Sequence, residues 1–390
     1  MRLTAYELKD FLNDNFGTCL CIATQETDVA GKSIIIGKAE SVYAYKMWLE
    51  NGNLLLEAGS FYGYECIVDK LKDILMRNSG KLPKDLCVCG DASTDFSANR
   101  SSYYITKRSG DLRAMLFNIY GWGGKGGTPL RTELEQELLW HYRPDVVGFQ
   151  EFGDYMDFAY RSTMTPKLLE IGYKEIPFWY SERKSNSTPI FYNPERVEIF
   201  ADDSFGGLRF SNGMKDTSKS LTWAVFREKQ TQKPFVFIST HFMWPDPNRA
   251  PEVTNNARVS DACELLETVH KLRERYGEEL PIIAGGDLNC FQGSEPINKL
   301  LGGGMRWFYD IAATAQEYGY HGYPTYDEEK KYYTKRYEGP KDASKSMDFI
   351  FGVGDMLVDS YITVTDKLAL ISSDHSPKFA DITLGFSERE

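Results

Sequence analysis

The stretch Pro281-Ile282-Ile283-Ala284-Gly285-Gly286-Asp287-Leu288-Asn289 decides the fold of this chain. Its first four residues are apolar or small, which predicts a short buried strand, and the two glycines let the backbone turn sharply and approach a neighbour closely. Because side chains alternate along an extended chain, Asp287 and Asn289 share one face while Leu288 points into the core. A carboxylate beside an amide suits a phosphate, since the carboxylate can handle a water proton and the amide can donate to a phosphoryl oxygen. The alternative for this stretch alone is an Asp/Asn turn after a core strand.

The composition is that of a globular protein with an acidic balance. The chain has 390 residues, of which 42% are hydrophobic and 26% charged, and its formal net charge is −11. This length allows two domains, although a single large α/β unit also fits. The negative charge argues against a surface-wide nucleic-acid binder but allows a local basic channel. A substrate anion therefore needs a metal ion or a focused basic patch.

The N-terminus and the cysteines give expectations about cellular setting. The opening residues lack a basic-then-apolar leader, and no apolar run approaches membrane-spanning length, so we expect a cytoplasmic protein without a transmembrane segment. Seven cysteines are present, four of them as Cys19-Leu20-Cys21 and Cys87-Val88-Cys89. Because C-x-C is not the usual C-x2-C zinc spacing, the pattern favours buried reduced thiols over a zinc cluster. The oligomeric state is not indicated.

Residues 1–90 predict a small α+β domain. Thr4 and Glu7 form a capping box before an apolar helical stripe, and an Asn-Gly pair at 51–52 is typical of a hairpin. The predicted strands and helix of this domain are Thr18–Thr24, Ser33–Ile36, Ser41–Leu49, Leu54–Ala58, Glu65–Met76 (helix) and Leu86–Cys89. Residues 91–111 are rich in Ser, Asn, Thr and Asp and predict a linker. No residues of this region suggest a catalytic role.

The character of the sequence changes at Leu112. A strand over Arg113–Ile119, a glycine-rich loop, a helix beginning at Thr128-Pro129 and a strand over Val146–Phe149 form a β-loop-α-β unit. The glycine-rich loop lacks the G-x-x-x-x-G-K-[ST] pattern, which argues against a nucleotide P-loop. The elements predicted after it are a helix capped by Thr165-Pro166, strands over Thr188–Tyr192, Val197–Phe200, Leu221–Phe226 and Pro234–Ser239, a helix over Ala257–Arg275, a helix start at Ser294-Glu295-Pro296 and a strand over Met347–Phe351.

Polar side chains follow apolar runs at six separate places in this second region. They are Asn118, Gln150-Glu151, His241, Asp287 with Asn289, Asp348, and Asp374-His375. This is the pattern expected if the carboxyl ends of strands converge on one pocket. Carboxylates with few soft ligands suit a hard cation such as Mg2+ or Mn2+ rather than zinc. No nucleophile elbow is present, which favours attack by water over a covalent serine.

Taken in order, these residues resemble the endonuclease/exonuclease/phosphatase superfamily. The resemblance runs from about Leu112 to Leu384 and depends on six motifs: Phe117-Asn118, Gln150-Glu151, Ser239-Thr240-His241-Phe242, Gly286-Asp287-Leu288-Asn289, Met347-Asp348-Phe349-Ile350 and Ser373-Asp374-His375-Ser376-Pro377. Each is weak alone, but six in order at compatible spacings are specific. The resemblance implies an α/β fold, a four-layer sandwich of two mixed β-sheets flanked by helices, with residues 112–390 as the catalytic domain.

The resemblance also implies roles for these residues. Glu151 would be the principal metal ligand, with Asn118 beside it on metal or phosphate and Asp374 nearby. Asp287 would position and deprotonate the attacking water. Asn289 and His241 would donate to the phosphoryl group. His375, oriented by Asp348, would contact the phosphate, and Arg258 would either contact phosphate or remain a surface cation. The resemblance does not decide between one metal and two, or between Asp287 and His375 as the base.

The branch of the superfamily and the substrate are less well indicated. Some nuclease branches carry an acid two residues after the first Asn, where this chain has Tyr120, which argues against the apurinic-endonuclease branch. The segment Lys330–Tyr337 interleaves basic residues with tyrosines, which suits either nucleic-acid stacking or an ordinary solvated loop. Trp122 and Trp244 are candidates for an aromatic rim.

Three functions remain open from the sequence. The first is a divalent-metal-dependent phosphoesterase that hydrolyses a small-molecule or lipid-linked phosphate ester, which is consistent with the acidic charge. The second is a DNA or RNA nuclease of the same superfamily. The third is a catalytically silent scaffold, against which the intact set of motifs argues.

Overall fold

The computed structural model describes the chain as two compact units, residues 1–105 and 106–390. The described residues are 2–16, 33–41, 43–92, 112–121, 128–155, 158–180, 185–216, 218–319, 326–327, 332–333 and 343–385. Among the helices so described, none combines the length and the hydropathy needed to cross a bilayer.

The first unit is a four-stranded sheet with two helices. Its elements are α1 (Arg2–Phe16), β1 (Ile34–Lys38), β2 (Ala44–Glu50), β3 (Asn53–Ala58), α2 (Phe61–Arg77) and β4 (Cys87–Asp91), and the strand order is β1-β3-β2-β4. The predicted Asn-Gly hairpin is confirmed, because Asn51 and Gly52 both have positive φ between the antiparallel β2 and β3. Ser60 caps α2 by accepting from the backbone N–H of Gly63.

Two predictions for this unit are wrong. The helix α1 begins at Arg2, so the predicted helix start at Thr4 is wrong. Cys87 and Cys89 are exposed rather than buried, because β4 is an edge strand and their register partners, Trp48 and Lys46, are on the opposite face from the buried Met47. The predicted strand over Thr18–Thr24 and most of the predicted linker lie outside the described residues.

The second unit contains most of the secondary structure. Its elements are β5 (Leu112–Asn118), α3 (Thr128–Tyr142), β6 (Val146–Gln150), β7 (Asp154–Tyr155), β8 (Phe158–Ala159), α4 (Tyr160–Glu170), β9 (Lys174–Glu175), β10 (Ile190–Tyr192), β11 (Val197–Ile199), β12 (Phe205–Arg209), β13 (Ser220–Glu228), β14 (Pro234–His241), α5 (Pro251–Tyr276), β15 (Ile282–Asp287), α6 (Glu295–Gly302), β16 (Arg306–Trp307), α7 (Phe308–Ile311), β17 (Thr314–Gln316), β18 (Tyr326–Asp327), β19 (Tyr332–Tyr333), β20 (Asp348–Val353), β21 (Met356–Thr363), α8 (Lys367–Ser372) and β22 (Lys378–Leu384).

Two large mixed sheets pack face to face in this unit. One has the order β17-β21-β22-β5-β6-β10-β9, and the other has the order β11-β13-β14-β15-β20-β16, with β12 paired to β13. The core between them is built from alternate residues of the central strands, among them Leu116, Phe237, Ile283 and Ile350. The predicted sandwich of two mixed sheets is therefore confirmed.

Helices cover the outer face of each sheet. On the second sheet, Leu265 and Leu272 of α5 and Leu300 of α6 share one apolar core with Ile238 and Ile282 of the strands. On the first sheet, Tyr142 of α3 packs its ring on Phe379 of β22. The result is four layers, helix, sheet, sheet and helix.

Several element predictions need correction. Pro166 lies inside α4, which begins at Tyr160, so Thr165-Pro166 does not start a helix. The helix start at Ser294 is confirmed, with Ser294 at the N-cap of α6. The strands β21 and β22 and the helix α8 were not predicted from the sequence.

Gly286 lies at a point of the second sheet where the neighbouring backbone leaves no room for a side chain. Its φ is 142°, and a Cβ placed there would lie 2.0 Å from the carbonyl oxygen of Thr240 on β14. We expect Gly286→Ala to lower the free energy of unfolding by about 3 kcal/mol or more, since both the conformation and the space exclude a side chain. The matched control is Gly302→Ala at the end of α6, where a Cβ meets nothing within 4 Å. Equal stability of the two variants in urea unfolding would contradict the assignment.

Candidate active site

One row across the second sheet brings three predicted site residues together. In the register of β14, β15 and β20, His241 pairs with Asp287, and Asp287 pairs with Asp348. Residues in such a row share one face of the sheet, and the same face of these strands carries the intersheet core residues Phe237, Ile283 and Ile350. The site is therefore the polar end of the intersheet core.

The first sheet supplies Asn118 and Glu151 to the same place. Asn118 ends β5, and its Nδ2 donates to Asp287 Oδ2 at 3.0 Å and to Glu151 Oε1 at 3.4 Å. Asn118 and Asp287 are both nearly completely buried. A single amide therefore links the two sheets through their carboxylates.

The chain turns sharply where each of these strands ends. Tyr120, Glu151 and Asn289 all have positive φ, of 52°, 61° and 50°. Such a conformation is uncommon for Tyr and Glu and costs conformational energy, so the surrounding structure must fix it. A Cβ at Gly121 would lie 1.8 Å from the carbonyl oxygen of Glu151, which shows how closely the turns after β5 and β6 approach.

His375 is held between two carboxylates. Its Nδ1 lies 2.8 Å from Asp348 Oδ2, and its Nε2 lies 3.8 Å from Asp287 Oδ2. Burial acts to lower the pKa of His375, but Asp348, Asp374 and Asp287 outweigh it and raise this pKa well above its usual value. The ring is therefore fixed as a cation with Nδ1 donating to Asp348.

Asp287 is the centre of the site. Its Oδ1 accepts from the backbone N–H of Asn289 at 2.8 Å, and its Oδ2 lies 3.4 Å from His241 Nε2. Burial acts to raise the pKa of Asp287, but His375, His241 and Lys219 outweigh it and hold this pKa below its usual range. Asp287 is therefore ionised at neutral pH.

Lys219 is a site residue that the sequence analysis missed. It immediately precedes β13, is 5% exposed, and places Nζ 2.7 Å from His241 Nε2. Burial lowers the pKa of Lys219, and the carboxylates of Glu151, Asp216 and Asp287 partly offset this effect. A lysine before a strand gives no sequence signal that distinguishes it from a surface lysine.

Arg131 of α3 is a second missed residue. Its guanidinium donates to the carbonyl oxygens of Ile119, Tyr120 and Ser372, and it lies 3.7 Å from the buried Glu135. These carbonyls follow Asn118 and precede Asp374-His375, so Arg131 joins the two turns that carry those site residues. Burial, partly offset by Arg131, raises the pKa of Glu135 well above its usual value.

The structure places the remaining predicted residues as follows. Asp374 is buried beside His375, and Ser373 links it to the site by donating to the carbonyl oxygen of Asn118 at 2.6 Å. Arg258 is buried on α5 and donates to the carbonyl oxygen of Met243 at 3.4 Å, with no contact to Asp287 or His375 among the described residues. Trp244 is exposed, whereas Trp122 and most of Lys330–Tyr337 lie outside the described residues.

The prediction that all six polar places are carboxyl ends of strands is wrong for two of them. Asp348 is the first residue of β20, and His375 precedes β22. Both strands run antiparallel to their neighbours, β15 and β5, so they begin where those neighbours end. The apolar run before His375 is the helix α8 rather than a strand.

The donor set fits a hard divalent cation. Glu151 Oε2 is buried and has no hydrogen-bond partner within the described part of the chain, which is the state expected of an oxygen that binds a cation. A separate group of possible ligand atoms, from Asp287, Asp348 and His375, lies within 4.8 Å. Because Nδ1 of His375 is bonded to Asp348, this group is better described as a hydrogen-bonded triad.

Two mixed sheets with an acidic and histidine-rich site at one end of their shared core define the class of fold. The model of the endonuclease/exonuclease/phosphatase family matches residues 115–375, and the chain belongs to this family. Members of the family are hydrolases that act on phosphate esters and generally depend on a divalent metal ion.

Individual relatives are distant. Protein angel of Drosophila melanogaster is 22% identical over 178 residues, which is 44% of this chain and 46% of that protein, so the match spans about half of the relative. A family structure from Bacteroides vulgatus has 24% identity and a TM-score of 0.51 over 70% of this chain and 99% of its own. The mannosyl-6-phosphatase of Bacteroides thetaiotaomicron has 20% identity and a TM-score of 0.53, again over 70% and 99%. These structural likenesses show the fold.

Asp261 of α5 fixes two loops beside the site. Its carboxylate is fully buried and accepts from the backbone N–H of Met243 at 2.8 Å and from Asn212 Nδ2 at 2.7 Å. Burial outweighs these two donors and raises the pKa of Asp261 to about 7. The folded protein therefore holds this proton more tightly than the unfolded chain does.

This difference predicts a pH dependence of stability. Because the pKa of Asp261 is higher in the folded state, the contribution of this residue to the free energy of unfolding should fall as the pH rises from about 4 to about 7. Asp261→Asn lacks this contribution, so between these two pH values its free energy of unfolding should change by roughly 2 to 4 kcal/mol differently from that of the wild-type protein. Urea unfolding of both proteins at several pH values measures the difference. An unchanged slope in the variant would show that Asp261 does not titrate there.

Proposed function

We propose that this chain is a divalent-metal-dependent phosphoric ester hydrolase that uses an activated water. The observation that carries the proposal is the position of Asp287, an ionised buried carboxylate held by Asn118 and Asn289 between His241 and His375. A carboxylate oriented in this way can hold one water molecule in line with a phosphorus atom.

Asp287 is the proposed base. As the water oxygen forms its bond to phosphorus, the bond between phosphorus and the ester oxygen breaks, and the leaving oxygen keeps the electron pair. The water proton passes to a carboxylate oxygen of Asp287. The negative charge of a bound phosphate raises the pKa of Asp287 from its low resting value, which makes proton transfer more favourable.

His375 is the proposed donor to the phosphoryl group. Asp348 fixes its ring through Nδ1, so its Nε2–H points toward the region beside Asp287. A preorganised, buried donor of this kind stabilises the charge that develops in the transition state. Asp348 acts as a positioning residue for this ring.

Glu151 and Asn118, with Asp374 nearby, are the proposed residues that hold Mg2+ or Mn2+. The unpartnered Oε2 of Glu151 supports this assignment. When bound, the cation would supply positive charge that offsets the negative charge on the phosphoryl and leaving-group oxygens.

The proposed substrate is a small-molecule or lipid-linked phosphate ester. The net charge of −11 and the presence of Tyr120 instead of an acid support this choice over DNA or RNA. Nucleic acids belong in the substrate panel as the competing outcome, since the segment Lys330–Tyr337 carries the basic and aromatic residues that a nuclease would use.

The first test is hydrolysis by the purified protein of a panel of phosphomonoesters, phosphodiesters, DNA and RNA, with Mg2+ or Mn2+. We expect release of phosphate or of a monoester, and a loss of about 1,000-fold in kcat for Asp287→Asn, because the water then has no base. The exposed Asp202→Asn serves as the matched control. Cleavage of nucleic acid alone would favour the nuclease, and cleavage of no substrate would favour a silent scaffold.

The second test concerns the metal. Glu151→Gln removes one negative charge from the proposed ligand set, so we expect Mn2+ to bind at least about tenfold more weakly, as seen even for changes to residues that only support metal ligands. Calorimetric titration measures this without any substrate, and EDTA should abolish hydrolysis. The control is Glu274→Gln on the exposed face of α5. Unaltered Mn2+ affinity in Glu151→Gln would place the metal elsewhere.

A further inference from the structure

Lys219 is a buried cation at the site, and the reaction proposed above assigns it no role. Its Nζ lies 2.7 Å from Nε2 and 3.4 Å from Nδ1 of His241. Its neighbour Ser220 pairs with His241 in the register of β13 and β14, so the strand pairing itself places the ammonium beside the row of site residues. Lys219 is only 5% exposed, and burial of an amine at this place needs a reason.

The amide groups of the site have few hydrogens left for a substrate. Asn118 directs Nδ2 at Asp287 and Glu151, whereas Asn289 directs Nδ2 at His241 Nε2 and at the carbonyl oxygen of Phe242, both at 3.1 Å. Each amide nitrogen carries two hydrogens, and these contacts occupy most of them. A phosphoryl group therefore needs a further donor beside these amides.

His241 is engaged in the same way. Lysine ammonium and amide nitrogen are donors only, and both Lys219 and Asn289 approach Nε2 of His241. This nitrogen has at most one lone pair, so it can accept from no more than one of them. The ammonium of Lys219 therefore contacts the His241 ring but is left with hydrogens that this ring cannot accept. The ammonium has three hydrogens, and among the described residues it has no acceptor other than the His241 ring.

The charges of the site also call for a cation at this point. Glu151, Asp287, Asp348 and Asp374 place four carboxylates around the position of the phosphate, and they repel an anion. His375 is already paired with Asp348. Lys219 is the buried cation that lies on the opposite side of Asp287 from this pair, beside His241.

We propose that Lys219 binds the phosphoryl group directly and makes phosphate monoesters the preferred substrates over diesters. This inference depends on the proposed function and narrows its substrate class. A monoester carries close to two negative charges at neutral pH and three non-bridging oxygens, whereas a diester carries one charge and two such oxygens. An additional ammonium therefore stabilises the monoester more, because it meets both the extra charge and the extra oxygen.

The test compares two substrates with one leaving group, p-nitrophenyl phosphate and bis(p-nitrophenyl) phosphate. We expect the wild-type protein to have the higher kcat/KM for the monoester. Lys219→Met should lower kcat/KM for the monoester by about 100-fold and that for the diester by less than about tenfold. Lys219→Arg keeps the charge and should keep the preference. Lys271→Met, at an exposed position of α5, is the matched control.

A purely structural role for Lys219 gives a different result. Loss of packing would lower both rates by the same factor, and the ratio of the two rates would stay constant in Lys219→Met. An equal loss for both esters, or a wild-type preference for the diester, would overturn the proposal. Thermal unfolding of each variant shows whether the fold is retained.

Binding of product-like anions tests the proposal without turnover. Inorganic phosphate is largely a dianion near pH 7.5 and dimethyl phosphate is a monoanion, and calorimetry gives the affinity of each. We expect Lys219→Met to weaken the binding of inorganic phosphate at least tenfold more than it weakens the binding of dimethyl phosphate. An equal effect on both anions overturns the role of Lys219. If the wild-type protein binds these anions with the expected difference but hydrolyses neither ester, the proposed function fails while the assignment of Lys219 as an anion-binding residue survives.

Discussion

The register between β14, β15 and β20 is the constraint on which the site depends. Once Asp287 is opposite both His241 and Asp348, all three side chains must lie on the face that meets the other sheet. A slip of one residue would turn them toward the outer helices. Gly286 fixes this register, since its backbone lies too close to Thr240 for any side chain. Backbone pairing thus positions His241, Asp287 and Asp348, whereas Glu151 and His375 lie in turns next to the strands.

The electrostatics of the site follow from its place at the end of an apolar core. Burial alone acts to neutralise each charged group, yet Asp348 with Asp374 and Asp287 raises the pKa of His375, and His375 lowers the pKa of Asp287, so that both remain charged. The guanidinium of Arg131 stabilises this arrangement by donating hydrogen bonds to the backbone of the two turns beside the site, at Tyr120 and Ser372. A charged cluster of this kind costs folding free energy, and that cost is consistent with a functional role rather than a stabilising one.

Much of the fold and of the site could be predicted because their signals are local. The apolar run before Asp287, the N-cap at Ser294 and the order of the polar motifs depend on residues that are neighbours in sequence. The direction of β22 was not predictable in this way, since antiparallel pairing depends on the whole sheet, and His375 was therefore expected at the end of a strand rather than before one. The burial of Lys219 depends on which strand pairs with its neighbour, which leaves no local pattern.

The two sheets fix the positions of several residues of the proposed chemistry. Asn118, Asp287 and Asp348 are strand residues, and their positions are fixed by the two sheets whatever substrate is bound. Lys219 immediately precedes β13, so the strand pairing also positions its ammonium. This ammonium contacts His241, on the side of the site where we propose that it meets the charge of the phosphoryl group. The selection between phosphate dianions and monoanions would then be built into the rigid part of the fold.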